Sequence, residues 1–117
     1  MEKKAISKES LAKNSLQDRT TLFQALTHTE IQEWIGALTS EWKFNLSEWC
    51  LERQMFFPSY MEEIHFVLKL AELAEEINHH PDLILGYKTM TIRLSTHNIS
   101  AVSLADFVLA AKIDNLK

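Results

Sequence analysis

The sequence predicts an α+β domain with the order α-β-β-α-β-β-α, in which a four-stranded antiparallel sheet is covered on one face by helices. Three observations carry that expectation. Apolar residues switch between the helical spacing of three to four and the strand spacing of two. Three Ser or Thr residues, Thr27, Ser59 and Ser103, are each followed three positions later by Glu30, Glu62 or Asp106, the pattern of a helix start. The strand-like runs come in pairs with short connections, as antiparallel neighbours require. A chain of 117 residues with 46% hydrophobic content, 2 Gly and 2 Pro suits one packed domain.

Residues 1–19 are polar and weakly periodic, and read as a flexible or loosely docked tail with Leu11 and Leu16 as anchor points. Residues 20–117 form the domain. Behind Thr27, the residues Ile31, Trp34, Ile35 and Leu38 share one helical face, predicting a helix over 28–38. From Trp42 the period becomes two. Trp42, Phe44 and Leu46 predict one strand, and Trp49, Leu51, Arg53, Met55 and Phe57 a second, with a turn near residues 45–48. Arg53 interrupts the apolar face of that second strand.

Pro58 and Ser59 then open the longest helix, which must stop before Pro81 because the residue preceding proline avoids the helical region. Tyr60, Ile64, Val67, Ala71 and Ala74 make one stripe on it, and Phe66, Leu70, Leu73 and Ile77 a second. So wide an apolar face predicts burial on a second side, by another helix or another subunit. Residues 82–87 read as a short strand, with a bend near Gly86. Met90, Ile92 and Leu94 then alternate with Thr89, Thr91 and Arg93 in a longer strand. The last helix follows Ser103, with Leu104, Phe107, Val108 and Ala111 facing inward.

Several functions are disfavoured by composition. Twelve Lys and Arg against 16 Asp and Glu give a net charge of −4, a poor match to a phosphate backbone, so no direct nucleic-acid partner is expected. One cysteine, Cys50, excludes an internal disulfide and a cysteine-based zinc site. No apolar run approaches the ~20 residues that span a bilayer. The first ten residues lack the apolar stretch of a secretion signal, so the expected location is cytoplasmic and no membrane partner is expected.

The unusual feature is histidine. Five are present, and three of them, His79, His80 and His97, fall within 19 residues. The first two stand at the end of the long helix, and Glu75 lies one turn before His79. His97 follows the long strand. Imidazole titrates near neutral pH and is well suited to move protons. No serine sits in an elbow motif and Cys50 is distant, so proton transfer fits better than acyl transfer. Each residue also has a plain structural reading: a histidine pair as helix C-cap, Asp106 as an N-terminal helix carboxylate, Trp42 as packing, Glu75 as a solvated position. Zinc is the chemical competitor, but adjacent histidines point in different directions, whereas helical zinc ligands stand at i and i+4. His28 and His65 attract no functional reading.

As an ordered string, Glu75, His79-His80-Pro81, Tyr87, Ser95-Thr96-His97 and Asp106 resemble the signature of the pterin-4a-carbinolamine dehydratases. Leu26-Thr27, Glu30-Ile31 and Trp42 resemble that family's N-terminal helix and first strand, so the likeness runs over roughly residues 26–116. The resemblance implies dehydration of 4a-hydroxytetrahydropterin to quinonoid dihydropterin, which recycles the pterin used by aromatic amino acid hydroxylases. It makes His79, His80 and His97 the acid/base and substrate-positioning residues, with donor and acceptor unassigned. Glu75 is expected to orient His79 or contact the pterin, and Asp106 to support His97. Trp42 walls the pocket, while Pro81, Thr96, Asn98 and Ile99 contribute to binding, the last three at the pyrimidine edge. No metal and no bound cofactor are implied, because pterin is the substrate. A homodimer or tetramer is implied as well. Some relatives act as dimerisation cofactors for a transcription factor or as assembly factors, which is the alternative function on the same scaffold. Leu83 stands where the family often has an aromatic residue, and Ala101 where it usually has glycine. Neither change removes a proton-transfer group.

Overall fold

The computed structural model describes residues 8–39 and 41–116. The expected order is present, preceded by two short helices: α1 (Lys8–Lys13), α2 (Arg19–Leu22), α3 (His28–Ile35), β1 (Lys43–Asn45), β2 (Cys50–Phe56), α4 (Tyr60–Ile77), β3 (Asp82–Gly86), β4 (Thr89–Leu94) and α5 (Leu104–Asp114). A 3₁₀ turn, His97–Ile99, lies between β4 and α5. The four strands form one antiparallel sheet in the order β1-β2-β4-β3.

Helix starts follow the side-chain chemistry that the sequence offers. Thr27 Oγ1 accepts from the Glu30 amide at 3.1 Å while the Thr27 amide donates to Glu30 Oε1 at 2.9 Å, a complete capping box. At Ser59 one half forms: Ser59 Oγ accepts from the Glu62 amide. The first expected helix ends three residues early. Gly36 is its C-cap, and Ala37 and Leu38 continue as a tightened turn, bonding back three residues to Trp34 and Ile35. Trp42 precedes β1, and Leu46 is exposed in the turn beyond it, so the first strand is shorter than its alternation suggested.

Register places Leu51, Arg53 and Met55 of β2 opposite Leu94, Ile92 and Met90 of β4, with Leu83 and Leu85 of β3 on the same face. Those β4 residues and Leu51 are fully buried. Arg53 belongs on this inner face because it pairs with Asp114 at the end of α5. That ion pair is why a charged residue interrupts the apolar alternation of the strand. Helix α5 fills the space against the sheet, and Ala105–Ala111 are all buried. A helix apolar around its whole circumference needs cover on its other side as well, and α1 supplies it.

The segment before residue 20 is therefore docked over its described length; residues 1–7 lie outside the described part. Leu11 and Leu16 are each 2% exposed within the core, worth about 2 kcal/mol apiece in burial. The Lys112 ammonium also donates to the Ala12 carbonyl at 2.8 Å.

The β3–β4 hairpin turns at Tyr87-Lys88, with Lys88 at φ 67°. Gly86 leaves room there: an added Cβ would lie 2.6 Å from Thr89 Oγ1, so any side chain at 86 would force the Thr89 side chain to move. Fully buried Glu63 accepts from the Lys88 amide at 2.9 Å, tying the hairpin to α4.

Candidate active site

The C-terminus of α4 decides the aim of the paired histidines. Asn78 adopts the left-handed conformation (φ 54°, ψ 49°), and its amide and that of His79 both donate to the Ala74 carbonyl. Asparagine tolerates that conformation better than most residues. The chain thus reverses in one step, and neighbouring side chains diverge. His79 points inward and is 8% exposed, whereas His80 lies at the surface.

His97 opens the 3₁₀ turn after β4. The left-handed residue of that turn is Ser100 (φ 50°), so Ala101 is spared the conformation that would demand glycine. Thr96 is buried and bonds back to Ala101, closing the loop.

These elements meet at a cavity of about 430 Å³ lined by His79, His80 and His97 with Arg19, Phe23 and Asn98. The volume is within the range of small-molecule sites. Each imidazole faces one carboxylate through Nε2. His79 Nε2 is 2.7 Å from Asp106 Oδ1, His80 Nε2 is 2.6 Å from Glu75 Oε2, and His97 Nε2 is 3.3 Å from Asp82 Oδ2. An ionised carboxylate only accepts, so the two hydrogen-bonded pairs, His79–Asp106 and His80–Glu75, place a proton on Nε2 and leave Nδ1 as the other ring nitrogen; His97 lies only within ion-pair distance of Asp82.

The three pairs differ in setting. Asp106 is fully buried at the start of α5, where Oδ2 also accepts from Thr96 Oγ1 and the Ser103 amide, both at 2.9 Å. The Thr96 proton is thereby committed, so the 2.7 Å contact between Thr96 and Ser103 is a bond donated by Ser103 Oγ. The Glu75–His80 and Asp82–His97 pairs are exposed on both sides. Solvent weakens such pairs and leaves them free to rearrange around a ligand.

Three expected relationships are corrected. Glu75 holds His80 rather than His79, because the reversal at Asn78 turns His79 away from the helix surface. Asp106 holds His79 rather than His97, because the start of α5 lies beneath the end of α4 and His97 leans instead to Asp82. Trp42 does not wall this cavity: it is 3% exposed and donates Nε1–H to Asp114 Oδ1 at 2.8 Å. Thr96 supports Asp106 from behind and Asn98 lines the cavity, whereas Pro81 and Ile99 are outside its lining.

The sequence reading missed Asp82, Arg19, Phe23 and Asn78, and gave Ser95 no role of its own although it stood in the signature string. Asp82 stood two residues after His80 and was a legible carboxylate; Arg19 and Phe23 gave no signal. His28 packs against Phe44 and Trp49, away from the cavity, and His65 lies on α4. Among the described residues, no three His, Cys, Asp or Glu side chains gather as a metal-ligand set, and no helix is long and apolar enough to cross a membrane.

Fold and site together define a small α+β protein with an open cavity lined by three imidazoles, each beside a carboxylate. The family model for pterin 4 alpha carbinolamine dehydratase matches residues 24–116, and the chain belongs to that family. Dehydratases are hydro-lyases, so membership gives the enzyme class. A protein of Alkaliphilus metalliredigens named as a pterin-4-alpha-carbinolamine dehydratase is 38% identical over 89 residues, covering 76% of this chain and 79% of its own length. One of Nostoc punctiforme with the same name is 39% identical over 94 residues, covering 80% and 98%. Among solved structures, a transcriptional coactivator/pterin dehydratase from Brucella melitensis matches with a TM-score of 0.72 at 26% identity, covering 78% of this chain and 96% of that one.

Proposed function

We propose that this protein dehydrates 4a-hydroxytetrahydropterin to quinonoid dihydropterin and water, with its histidines as general acid and base. The observation that carries the proposal is the convergence of three imidazoles on one cavity, two of them hydrogen-bonded to a carboxylate and the third beside one. In the reaction the C4a–O bond breaks as the hydroxyl takes a proton and leaves as water. N5 gives up its proton, and the electron pair forms the C4a=N5 double bond. One group must donate and another accept, and the available Nδ1 atoms are of the right kind near neutral pH. The C–O cleavage is assisted by a proton given to the leaving oxygen and one taken from N5, with no net oxidation or reduction, so the proposed chemistry calls for no metal and no bound cofactor.

The buried, triply engaged Asp106 favours His79 as the most rigid of the three. His80 and His97, with exposed partners, are suited to exchange protons with solvent and to admit the pterin. Asn98 and the backbone of residues 96–99 offer polar groups to the pyrimidine edge. We further propose a homodimer or tetramer acting in the cytoplasm on free pterin. Tyr60, Met61 and Leu68 on α4 and Ile84, Leu85 and Tyr87 on the β3–β4 hairpin are exposed apolar residues that a second copy would cover.

The direct test follows dehydration of freshly generated 4a-hydroxytetrahydropterin with wild type and with His79→Ala, His80→Ala and His97→Ala. The expected result is acceleration by wild type and a loss of roughly 10²–10⁴-fold in variants lacking the acid or the base. Wild type no faster than the spontaneous reaction overturns the dehydratase reading. For assembly, sedimentation showing a stable monomer at micromolar concentration removes the oligomer proposal.

A further inference from the structure

We propose that Arg19 and Phe23, both outside the 24–116 stretch that carries the family match, act as positioning residues for His79. The inference deepens the dehydratase reading and rests on it for its kinetic arm alone.

The segment is held firmly enough to do this. Leu16 and Leu22 are buried on either side of Arg19, and Asp18 caps α2 by accepting from the Thr21 amide at 3.1 Å. Arg19 then reaches the far end of α4. Its Nη1 donates to the Ile77 carbonyl at 3.2 Å and its Nη2 to the Asn78 carbonyl at 3.0 Å. Those carbonyls lie at a helix C-terminus, where free acceptors and the negative end of the dipole both favour a cation. The planar guanidinium bridges two acceptors at once, which a lysine ammonium on a flexible stem does less well.

The same guanidinium lies 3.9 Å from the centre of the Phe23 ring. Phe23 in turn meets His79 edge to face, with centroids 5.1 Å apart and planes at 87°. His79 is therefore held from two sides, by the Asp106 carboxylate through Nε2 and by the Phe23 ring. Arg19 fixes both the turn that presents His79 and the ring that packs on it. Removing Phe23 frees the imidazole to rotate about its one remaining strong contact. A displacement of that kind costs turnover more than binding, because the reacting geometry is lost while the cavity walls remain.

The test uses the full chain with Phe23→Leu, Phe23→Ala, Arg19→Lys and Arg19→Ala. Kinetics are paired with NMR of the His79 imidazole, assigned by comparison with His79→Gln. The expected result for Phe23→Ala is a fall in kcat of about tenfold with KM within about twofold, and a smaller fall for Phe23→Leu. The carbon-bound His79 protons should lose the ring-current shift from Phe23 in both variants. Arg19→Lys should rescue part of what Arg19→Ala loses. Variants that melt earlier but keep the wild-type kcat and His79 resonances would reduce the segment to a structural role and overturn the proposal. If wild type has no dehydratase activity, the dehydratase reading fails by itself. The His79 resonances then decide the positioning claim alone, and unchanged shifts in Phe23→Leu overturn it.

Discussion

Helix α5 carries a carboxylate at each end, and the two have opposite uses. Asp106, at its start, receives His79, Thr96 and the Ser103 amide. Asp114, at its end, receives the Trp42 indole and the Arg53 guanidinium. Neither the indole nor the guanidinium titrates near neutral pH, so that end is a fixed lock between α5, β2 and the segment before β1. One partner of Asp106 is an imidazole on the cavity, so the same residue type on the same helix holds a group that can gain and lose a proton. Chemistry at a site thus depends less on the buried acid than on what faces it. Asp106 also does two things at once: Oδ2 caps α5 by accepting from the Ser103 amide, and Oδ1 faces His79 Nε2.

The contrast can be broken from either end. Asp106→Ala should have the largest effect, lowering kcat/KM by roughly 10²–10⁴-fold as His79 loses the group that fixes its tautomer. Loss of the cap should cost about 1 kcal/mol of stability as well, and steady-state kinetics beside urea unfolding separate the two. Asp114→Ala should do the reverse, costing about 3 kcal/mol in unfolding by leaving Arg53 without its partner, with kcat within about twofold of wild type. A large kinetic defect there would show that the lock reaches the cavity. Between the exposed pairs and the buried one, Glu75→Gln should lower kcat/KM by only about threefold, in keeping with the weak energies of exposed ion pairs. A hundredfold loss would place His80 on a par with His79.

The smallest effect lies at the sheet's Cys50, which touches neither end of the comparison directly. Burial, then the Glu52 carboxylate, pushes its thiol up to about 11 from an ordinary 9.0. A raised folded pKa means the unfolded chain ionises first. The stabilisation is complete below about 9 and is lost as pH rises towards 11. Cys50→Ala should show a shallower alkaline loss of stability over that window, read by unfolding at fixed temperature. Identical alkaline slopes would remove the thiol from the account.

Much of the fold was legible because its signals are local. Thr27 and Glu30 lie within one helical turn of each other, and Met90, Ile92 and Leu94 alternate along a single strand. Arg53 read as a flaw in its strand because Asp114 is 61 residues away and no periodic pattern links them. The site was legible as a set of residue types and illegible as a set of pairs. Glu75 stood one turn from His79, and helical spacing joined those two. A single left-handed residue, Asn78, gave Glu75 to His80 instead.

By itself, the sequence determined the class of fold, the starts of α3, α4 and α5, and the inner face of the sheet, because caps and periodicity act over a few residues; it also named the three histidines that the fold brings to one cavity. Only the tertiary structure decided the sheet order, the docking of residues 8–23 and the assignment of Asp106, Glu75 and Asp82 each to its imidazole. Those choices rest on contacts between segments distant in the chain, where burial and the geometry of one helix end select the partner.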